Sequence, residues 1–194
     1  MMNQVNSWQR VMYDPVAYIN PKRFRVDLTS TVPSVRAAVN DLLITQFDLP
    51  LDATPPKPGT NGSLLVRHWR CWPTISWLLG CHASRGALLR GGRILRLPLW
   101  VRQFAMASGQ QNEYVPEPNI PLETEVLLAR GLHQLIDSAG PLANALGMRF
   151  RLALSPDIDL YMTPMAPKSI DPTFFRKTIQ YAARHTNQAI GFSA

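Results

Sequence analysis

The feature that most constrains this chain is a stretch from Ala53 to Asn112 that contains neither aspartate nor glutamate. The rest of the chain carries 12 lysines and arginines against 13 acidic residues, so this stretch supplies the whole formal net charge of +7. Charged side chains without partners stay in water because their burial is costly. We therefore expect the stretch to present a cationic exterior, and we expect its partners to be acidic or polar.

The bulky apolar residues concentrate in the same region. Residues 64–106 hold four of the five tryptophans and both cysteines. Helical spacing places the first two of these tryptophans beside a leucine on one face and the first arginines on the other, which indicates a helical core with an arginine-bearing exterior. The residues predicted to form the core are Leu65, Trp69, Trp72 and Trp77. The arginines predicted to be exposed and to bind a partner are Arg67, Arg70, Arg85, Arg90, Arg93 and Arg96.

Prolines and glycines divide this region into short helices. Ser63 is predicted to cap the first one. Pro73 suits the first turn of a new helix, which should end at Gly80. A further helix should stop at the Gly91-Gly92 pair, because interior glycine costs roughly 1 kcal/mol relative to alanine, and Pro98 should open another.

The remaining segments also favour helices. An aspartate followed by proline, as at Asp14 and at Asp171, has the pattern of a helix cap. Residues 32–47 and the segment that begins at Pro121 show apolar residues at helical spacing. Residues 142–154 fit a helix or, at their end, a strand, and we favour the helix. The predicted buried faces of three helices consist of Val35, Val39, Leu42, Leu43 and Phe47; of Leu128, Leu132, Leu135 and Ile136; and of Phe175, Ile179, Ala182 and Ala183.

We therefore predict an all-α fold, a single compact domain over residues 1–194 made of short helices and proline-rich loops near 50–62, 108–121 and 155–172. Hydrophobic residues are 46% of the chain and charged ones 17%, which is typical of a folded protein rather than a disordered one. No run of about 18 apolar residues is present, so no transmembrane helix is expected. The N-terminus lacks the apolar core of a signal peptide, and this favours the cytoplasm, where both cysteines should stay reduced.

Four residues deserve weighing as a metal or catalytic site: His68, Cys71, Cys81 and His82. Zinc ligands are usually spaced so that both members of a pair can turn inward, whereas Cys81 and His82 are adjacent. A cysteine nucleophile needs a histidine in hydrogen-bond reach and a third group to orient it, and no acidic residue lies nearby in the sequence. We therefore predict no catalytic residue, no metal, no cofactor and no small-molecule substrate.

Arginines interleaved with tryptophans can also form a nucleic-acid surface, with cations on phosphates and aromatic rings on bases. The tryptophans at 69 and 72 share their predicted face with Leu65, which favours burial over stacking on bases. A basic nucleic-acid-binding protein is therefore the alternative to a protein-binding scaffold, and a small hydrolase or metal enzyme is the third possibility.

Two blocks of sequence resemble a known family. The first lies within residues 8–24 and the second within residues 64–106. The motifs are Trp8-Gln9-Arg10, Tyr13-Asp14-Pro15, Tyr18-Ile19-Asn20-Pro21, Arg67-x-Trp69-Arg70-x-x-Pro73 and Leu78-Leu79-Gly80-Cys81-His82. On these motifs the chain is similar to the OrgA/MxiK family, the oxygen-regulated-invasion-type SctK subunits of bacterial type III secretion systems.

The resemblance implies a predominantly helical, non-enzymatic adaptor of the sorting platform, which supports protein secretion and virulence. The family joins the cytoplasmic domain of the inner-membrane ring protein to the pod protein, at the cytoplasmic base of the injectisome and peripheral to the inner membrane. No catalytic residue carries over from the family. We expect the arginines of residues 67–102 to meet an acidic face on a partner protein.

Overall fold

The structure is a computed structural model that describes residues 2–24, 32–107, 123–162 and 170–189. These residues form α-helices and short 3-10 helices, with no β-strand among them, so the all-α prediction is confirmed. The α-helices are α1 Met2–Tyr13, α2 Pro33–Gln46, α3 Asn61–Arg67, α4 Trp72–Ala83, α5 Arg85–Leu89, α6 Leu99–Met106, α7 Thr124–Ser138, α8 Ala143–Leu152 and α9 Pro172–Ala189. The 3-10 helices are Pro15–Ala17, Trp69–Cys71, Arg90–Arg96, Gly140–Leu142 and Pro156–Tyr161.

Helix α4 lies at the centre of the fold. It carries no lysine, arginine or acidic residue, and nine of its twelve residues are buried. A helix that is apolar all round has to be covered on every side. Helices α6, α7 and α9 pack around it and supply that cover. None of the described helices is both long enough and apolar enough to cross a bilayer.

Two glycines allow α4 and α7 to touch backbone to backbone. A methyl group added at Gly80 would overlap the carbonyl oxygen of Leu127, and one added at Gly131 would overlap the carbonyl oxygen of Ser76. Only glycine permits so close an approach. The sequence predicted that α4 ends at Gly80, and this is wrong, because α4 continues to Ala83 and uses Gly80 for its contact with α7.

Trp72 joins the central helix to the N-terminal block. Its side chain is fully buried, and its indole Nε1 donates a hydrogen bond of 2.9 Å to the carbonyl of Leu65. Its ring meets Phe150 edge-on, with centroids 4.6 Å apart, and lies 5.6 Å from the ring of Tyr18. Residues of the two sequence blocks, 8–24 and 64–106, therefore meet in one part of the core.

Several helix boundaries follow the sequence signals, and two caps do not. Pro73 lies in the first turn of α4 and Pro98 directly precedes α6, as predicted. Asp171 accepts a hydrogen bond of 2.8 Å from the backbone amide of Phe174 and so caps α9 as predicted. Ser63 is not a cap, because the Thr60 hydroxyl accepts from its amide and α3 begins two residues earlier. Asp14 precedes only the 3-10 turn Pro15–Ala17, and its side chain makes no cap hydrogen bond.

The predicted buried faces are only partly right. Of the α2 stripe, Leu43 is buried, whereas Val35 and Leu42 are 46% and 54% exposed. Ala183 of α9 is exposed as well. In α2 the buried side is centred on Asn40 and Leu43, so Val35 and Leu42 fall outside it.

The loop predictions fall on described and undescribed residues. Residues 50–60 precede α3 without forming a helix or strand. Residues 142–154 contain α8, which confirms the preference for a helix. The predicted loop at 108–121 lies outside the described residues. In the predicted loop at 155–172, residues 156–161 form a 3-10 helix, and residues 163–169 lie outside the described residues.

Candidate docking surfaces

Helix α4 separates the six predicted partner-binding arginines into two groups. Arg67 and Arg70 precede it, and the other four follow it. A helix of twelve residues spans about 18 Å, and Arg70 and Arg85 adjoin its two ends in the sequence. Five of the six arginines are exposed and Arg85 is half-buried.

Arg70 of the first group, but not Arg67, lines a groove of about 630 Å³. We call it the motif groove, because residues from both family-like blocks line it. Its lining consists of Arg10, Asp14, Ala17, Tyr18, Arg36, Trp69, Arg70, Pro73 and Ala153.

An ion pair inside the motif groove neutralises Asp14, the one acidic residue among the described residues that line it. The Arg36 guanidinium donates to both carboxylate oxygens of Asp14, at 3.0 and 2.8 Å. Asn40 donates to the same carboxylate at 3.0 Å, and its own side-chain oxygen accepts from the amide of Val16 at 3.0 Å. Asp14 therefore holds α2 against the N-terminal block. Because Asp14 pairs with Arg36, it does not neutralise the other two arginines of the groove, Arg10 and Arg70.

Trp69 packs against the hydrophobic core with one part of its side chain and lines the motif groove with another. It is half-buried, and the Arg70 guanidinium carbon lies 5.0 Å from its ring centroid, within the range of a cation–π contact. It is less buried than Leu65 because α3 ends at Arg67, so the continuous helix that would align Trp69 with Leu65 is interrupted. The other predicted core residues, Leu65, Trp72 and Trp77, are buried.

Three arginines of the second group lie along the 3-10 helix Arg90–Arg96, whereas Arg85 lies in α5. We call residues 89–96 the arginine-leucine ridge. A 3-10 helix repeats every three residues, and the cations at 90, 93 and 96 follow that spacing and are exposed. Leu89 and Leu95 are 47% and 68% exposed, whereas Ile94 is 6% exposed and anchors the ridge in the core. The motif groove thus offers cations beside aromatic rings, and the ridge offers cations beside aliphatic side chains.

The histidines and cysteines that were weighed as a metal or catalytic site lie in apolar surroundings. Cys81 is fully buried, and burial raises the pKa of its thiol. Burial also raises the pKa of Cys71, against a hydrogen bond of 3.1 Å that the Thr186 hydroxyl donates to its sulfur. Both thiols are therefore protonated near neutral pH, and a thiol is a far weaker nucleophile than a thiolate.

The two histidines are held neutral. Burial and then Arg85 lower the pKa of His82, whose ring packs against Phe174 with centroids 4.4 Å apart. Burial and then Arg67 lower the pKa of His68. Within the described part of the chain, no three histidine, cysteine, aspartate or glutamate side chains come close enough together to hold a metal ion.

Sequence reasoning did not assign a role to Arg10 or to the Asp14–Arg36 pair. Arg10 stands in a motif of the first block, and that position was the available signal. Arg36 lies 22 residues from Asp14 in the sequence. No pattern within α2 indicates which acid it meets.

The comparisons with known proteins agree with the two blocks. The sequence model of the family described as "Bacterial type III secretion apparatus protein (OrgA_MxiK)" matches residues 8–184. The oxygen-regulated invasion protein OrgA of Salmonella typhimurium is 31% identical over 189 residues, which cover 96% of this chain and 92% of that protein. Protein MxiK of Shigella flexneri is 31% identical over 78 residues, 39% of this chain and 42% of that protein.

No solved structure matches the chain. The family match spans far more of the sequence than the two blocks that first suggested it, and it includes both candidate docking surfaces. The chain therefore belongs to the OrgA/MxiK family of bacterial type III secretion apparatus proteins.

Proposed function

We propose that this chain is a non-enzymatic adaptor of the type III secretion injectisome. In this proposal it joins the cytoplasmic domain of the inner-membrane ring protein to the pod protein of the sorting platform, at the cytoplasmic base of the apparatus. The observation that supports the proposal is the division of its exposed arginines into two groups, one before α4 and one after it in the chain. An adaptor needs two surfaces that can be occupied at the same time.

The two surfaces differ in chemistry, so they suit different partners. The motif groove combines Arg10 and Arg70 with an aromatic wall, and Arg67 is exposed three residues before Arg70 in the sequence. The arginine-leucine ridge combines three arginines with exposed leucines. Exposed ion pairs contribute only about 0–1 kcal/mol each, so each surface needs its apolar side chains beside its cations to bind firmly. The partner at each surface is expected to present an acidic face.

Close packing against α7 supports α4 between the two groups of arginines. The backbone contact at Gly80 and Gly131 leaves no room for the two helices to move closer together. A rigid connection keeps the spacing between two partners constant, which is what a joint in a large assembly requires. The protonated thiols of Cys71 and Cys81 support a scaffold over an enzyme of the cysteine-nucleophile type.

Charge reversal at each surface tests the proposal. Arg67→Glu with Arg70→Glu should abolish capture of one of the two partners. Arg90→Glu, Arg93→Glu and Arg96→Glu together should abolish capture of the other. Lys177→Glu with Arg184→Glu on the exposed face of α9 is the matched control and should change neither. Binding is measured by pull-down with the purified ring-protein domain and the purified pod protein, and folding is checked by the melting temperature.

Each variant should lose one partner, keep the other, and melt within a few degrees of the wild type, because the substituted side chains are exposed. If both surface variants retain both partners at wild-type strength, the arginines are only a solvated exterior. The assignment of the docking surfaces would then be wrong.

A further inference from the structure

We infer that the motif groove holds an acidic segment of a protein partner, with carboxylates on Arg10 and Arg70 and an apolar side chain against Trp69. This inference rests on the proposed function, because it takes the occupant to be another protein of the apparatus. It adds the place of binding and the chemistry of the bound segment.

The concave shape of the motif groove suits an extended segment of a partner protein better than a flat protein surface. Its volume of about 630 Å³ lies within the usual range of ligand sites. Its walls come from α1, the turn Pro15–Ala17, α2 and the residues on either side of the start of α4. Elements distant in sequence thus enclose one concave site, and a concave site selects an occupant that can enter it.

The charge of the groove selects an acidic occupant. Three arginines and one aspartate line it, and Arg36 and Asn40 occupy that aspartate's carboxylate. Within the described ranges, neither Arg10 nor Arg70 forms an ion pair with a carboxylate. Both side chains are exposed, so a carboxylate entering the groove gains two cations without first displacing an acid.

The aromatic wall favours a protein over a nucleic acid. The Arg70 guanidinium already lies over the ring of Trp69, so a base cannot stack on that face without displacing it. Strong nucleic-acid binding also needs many phosphate contacts, and the described lining of the groove offers only Arg10 and Arg70 as cations without a carboxylate. Tryptophan and arginine side by side are instead the residue types that dominate binding at protein interfaces.

The groove is preorganised. The hydrogen bonds among Arg36, Asp14, Asn40 and Val16 hold two walls together. Tyr18 is buried between the groove and the ring of Trp72. A site that needs no rearrangement loses less free energy when it binds.

A peptide titration followed by NMR tests the inference. The probe is a short synthetic peptide in which glutamate and leucine alternate, and its control has glutamine in place of every glutamate. The readout is the indole N–H signal of Trp69, which the Trp69→Phe variant identifies among the tryptophan signals. The variants are Arg10→Gln with Arg70→Gln and, as the matched control, Lys177→Gln with Arg184→Gln.

The acidic peptide should shift the Trp69 signal in a saturable manner, and the glutamine peptide should not. The groove variant should bind at least about tenfold more weakly, and the control variant should bind as the wild type does. The inference is overturned if the groove variant binds the peptide unchanged. It is also overturned if duplex DNA shifts the same signal at lower concentration with a steep salt dependence, which would make the groove a nucleic-acid site.

Pull-down with the ring-protein domain and the pod protein distinguishes a failure of this inference from a failure of the adaptor proposal. If the Arg10→Gln, Arg70→Gln variant still captures both the ring-protein domain and the pod protein, the groove is not their binding site although the chain remains an adaptor. If the wild-type chain captures neither purified partner, the adaptor proposal itself fails.

Discussion

Arg149 is a buried cation that the fold uses as a structural tie. Its side chain is fully buried, and burial lowers its pKa. It donates to the carbonyls of Val11 and Met12, in the last turn of α1, at 3.2 Å each, and to that of Pro50 at 2.9 Å. The final carbonyls of a helix have no partner within the helix and carry partial negative charge, so a guanidinium suits them.

Replacing Arg149 with methionine should lower the free energy of unfolding by about 3–5 kcal/mol, because three carbonyls would lose their donor in the interior. Arg149→Lys should cost less, since lysine keeps the charge but reaches fewer carbonyls. Urea unfolding followed by circular dichroism measures both. A loss below about 1 kcal/mol for the methionine variant would show that Arg149 is not the tie described here.

Asp159 gives the fold a predictable response to acid. Desolvation alone would raise its pKa, but hydrogen bonds from Arg23 at 2.9 Å and from Arg151 at 2.8 Å outweigh that effect and lower it to about 2. A carboxylate whose pKa is lowered in the folded state stabilises the fold above its unfolded pKa of 3.8. That stabilisation is lost as the pH falls from about 4 toward about 2.

Asp159→Asn should therefore be less stable than the wild type at pH 7, and the difference should shrink as the pH falls below about 4. Urea midpoints measured at neutral pH and again below pH 4 check this. Asp41→Asn, on the exposed surface of α2, is the control and should show no such convergence. A wild-type to Asp159→Asn difference that stays constant with pH would mean that the two arginines do not stabilise the ionised carboxylate.

At the scale of helices, the α4–α7 contact should tolerate no side chain at its crossing point. Gly131→Ala would push a methyl group into the carbonyl of Ser76, which is backbone and cannot rotate away. The helices would have to separate, and we expect a loss of about 3 kcal/mol or more. Thermal unfolding by calorimetry measures it.

Gly86→Ala is the matched control for this substitution. Gly86 lies in α5 with open space around it, so alanine there should leave stability unchanged or raise it by up to about 1 kcal/mol. If Gly131→Ala and Gly86→Ala melt together, the two helices do not meet as closely as the structure shows.

Local chemistry explains which elements could be predicted. Pro73, Pro98 and the Asp171 cap act within one turn of the chain, and they fixed helix starts correctly. The role of Gly80 depends on α7, some fifty residues later, so the sequence around it was read as a helix end. The spacing of apolar residues predicts which of them share a helix face, but it does not predict how much of that face a neighbouring helix buries. The exposure of Leu42 in α2 is an example.

At the scale of the whole molecule, the sequence predicted the candidate site in part. The absence of acids from residues 53–112 predicted that the arginines near the tryptophans are exposed, and most of them are. It could not predict that Arg10 and Arg70 share a groove, because 60 residues of chain separate them. Nor could it predict that α4 holds the two cationic groups apart, since that depends on where α4 begins and ends.

The central claim is that two partners bind this chain at once, at opposite ends of α4. Sedimentation velocity on the ring-protein domain and the pod protein, with and without the chain, tests it most directly. The account predicts that the two partners sediment separately alone and form a single larger complex of all three proteins when the chain is added. If the pod protein instead displaces the ring-protein domain from the chain, the two share one surface, and the adaptor account is contradicted.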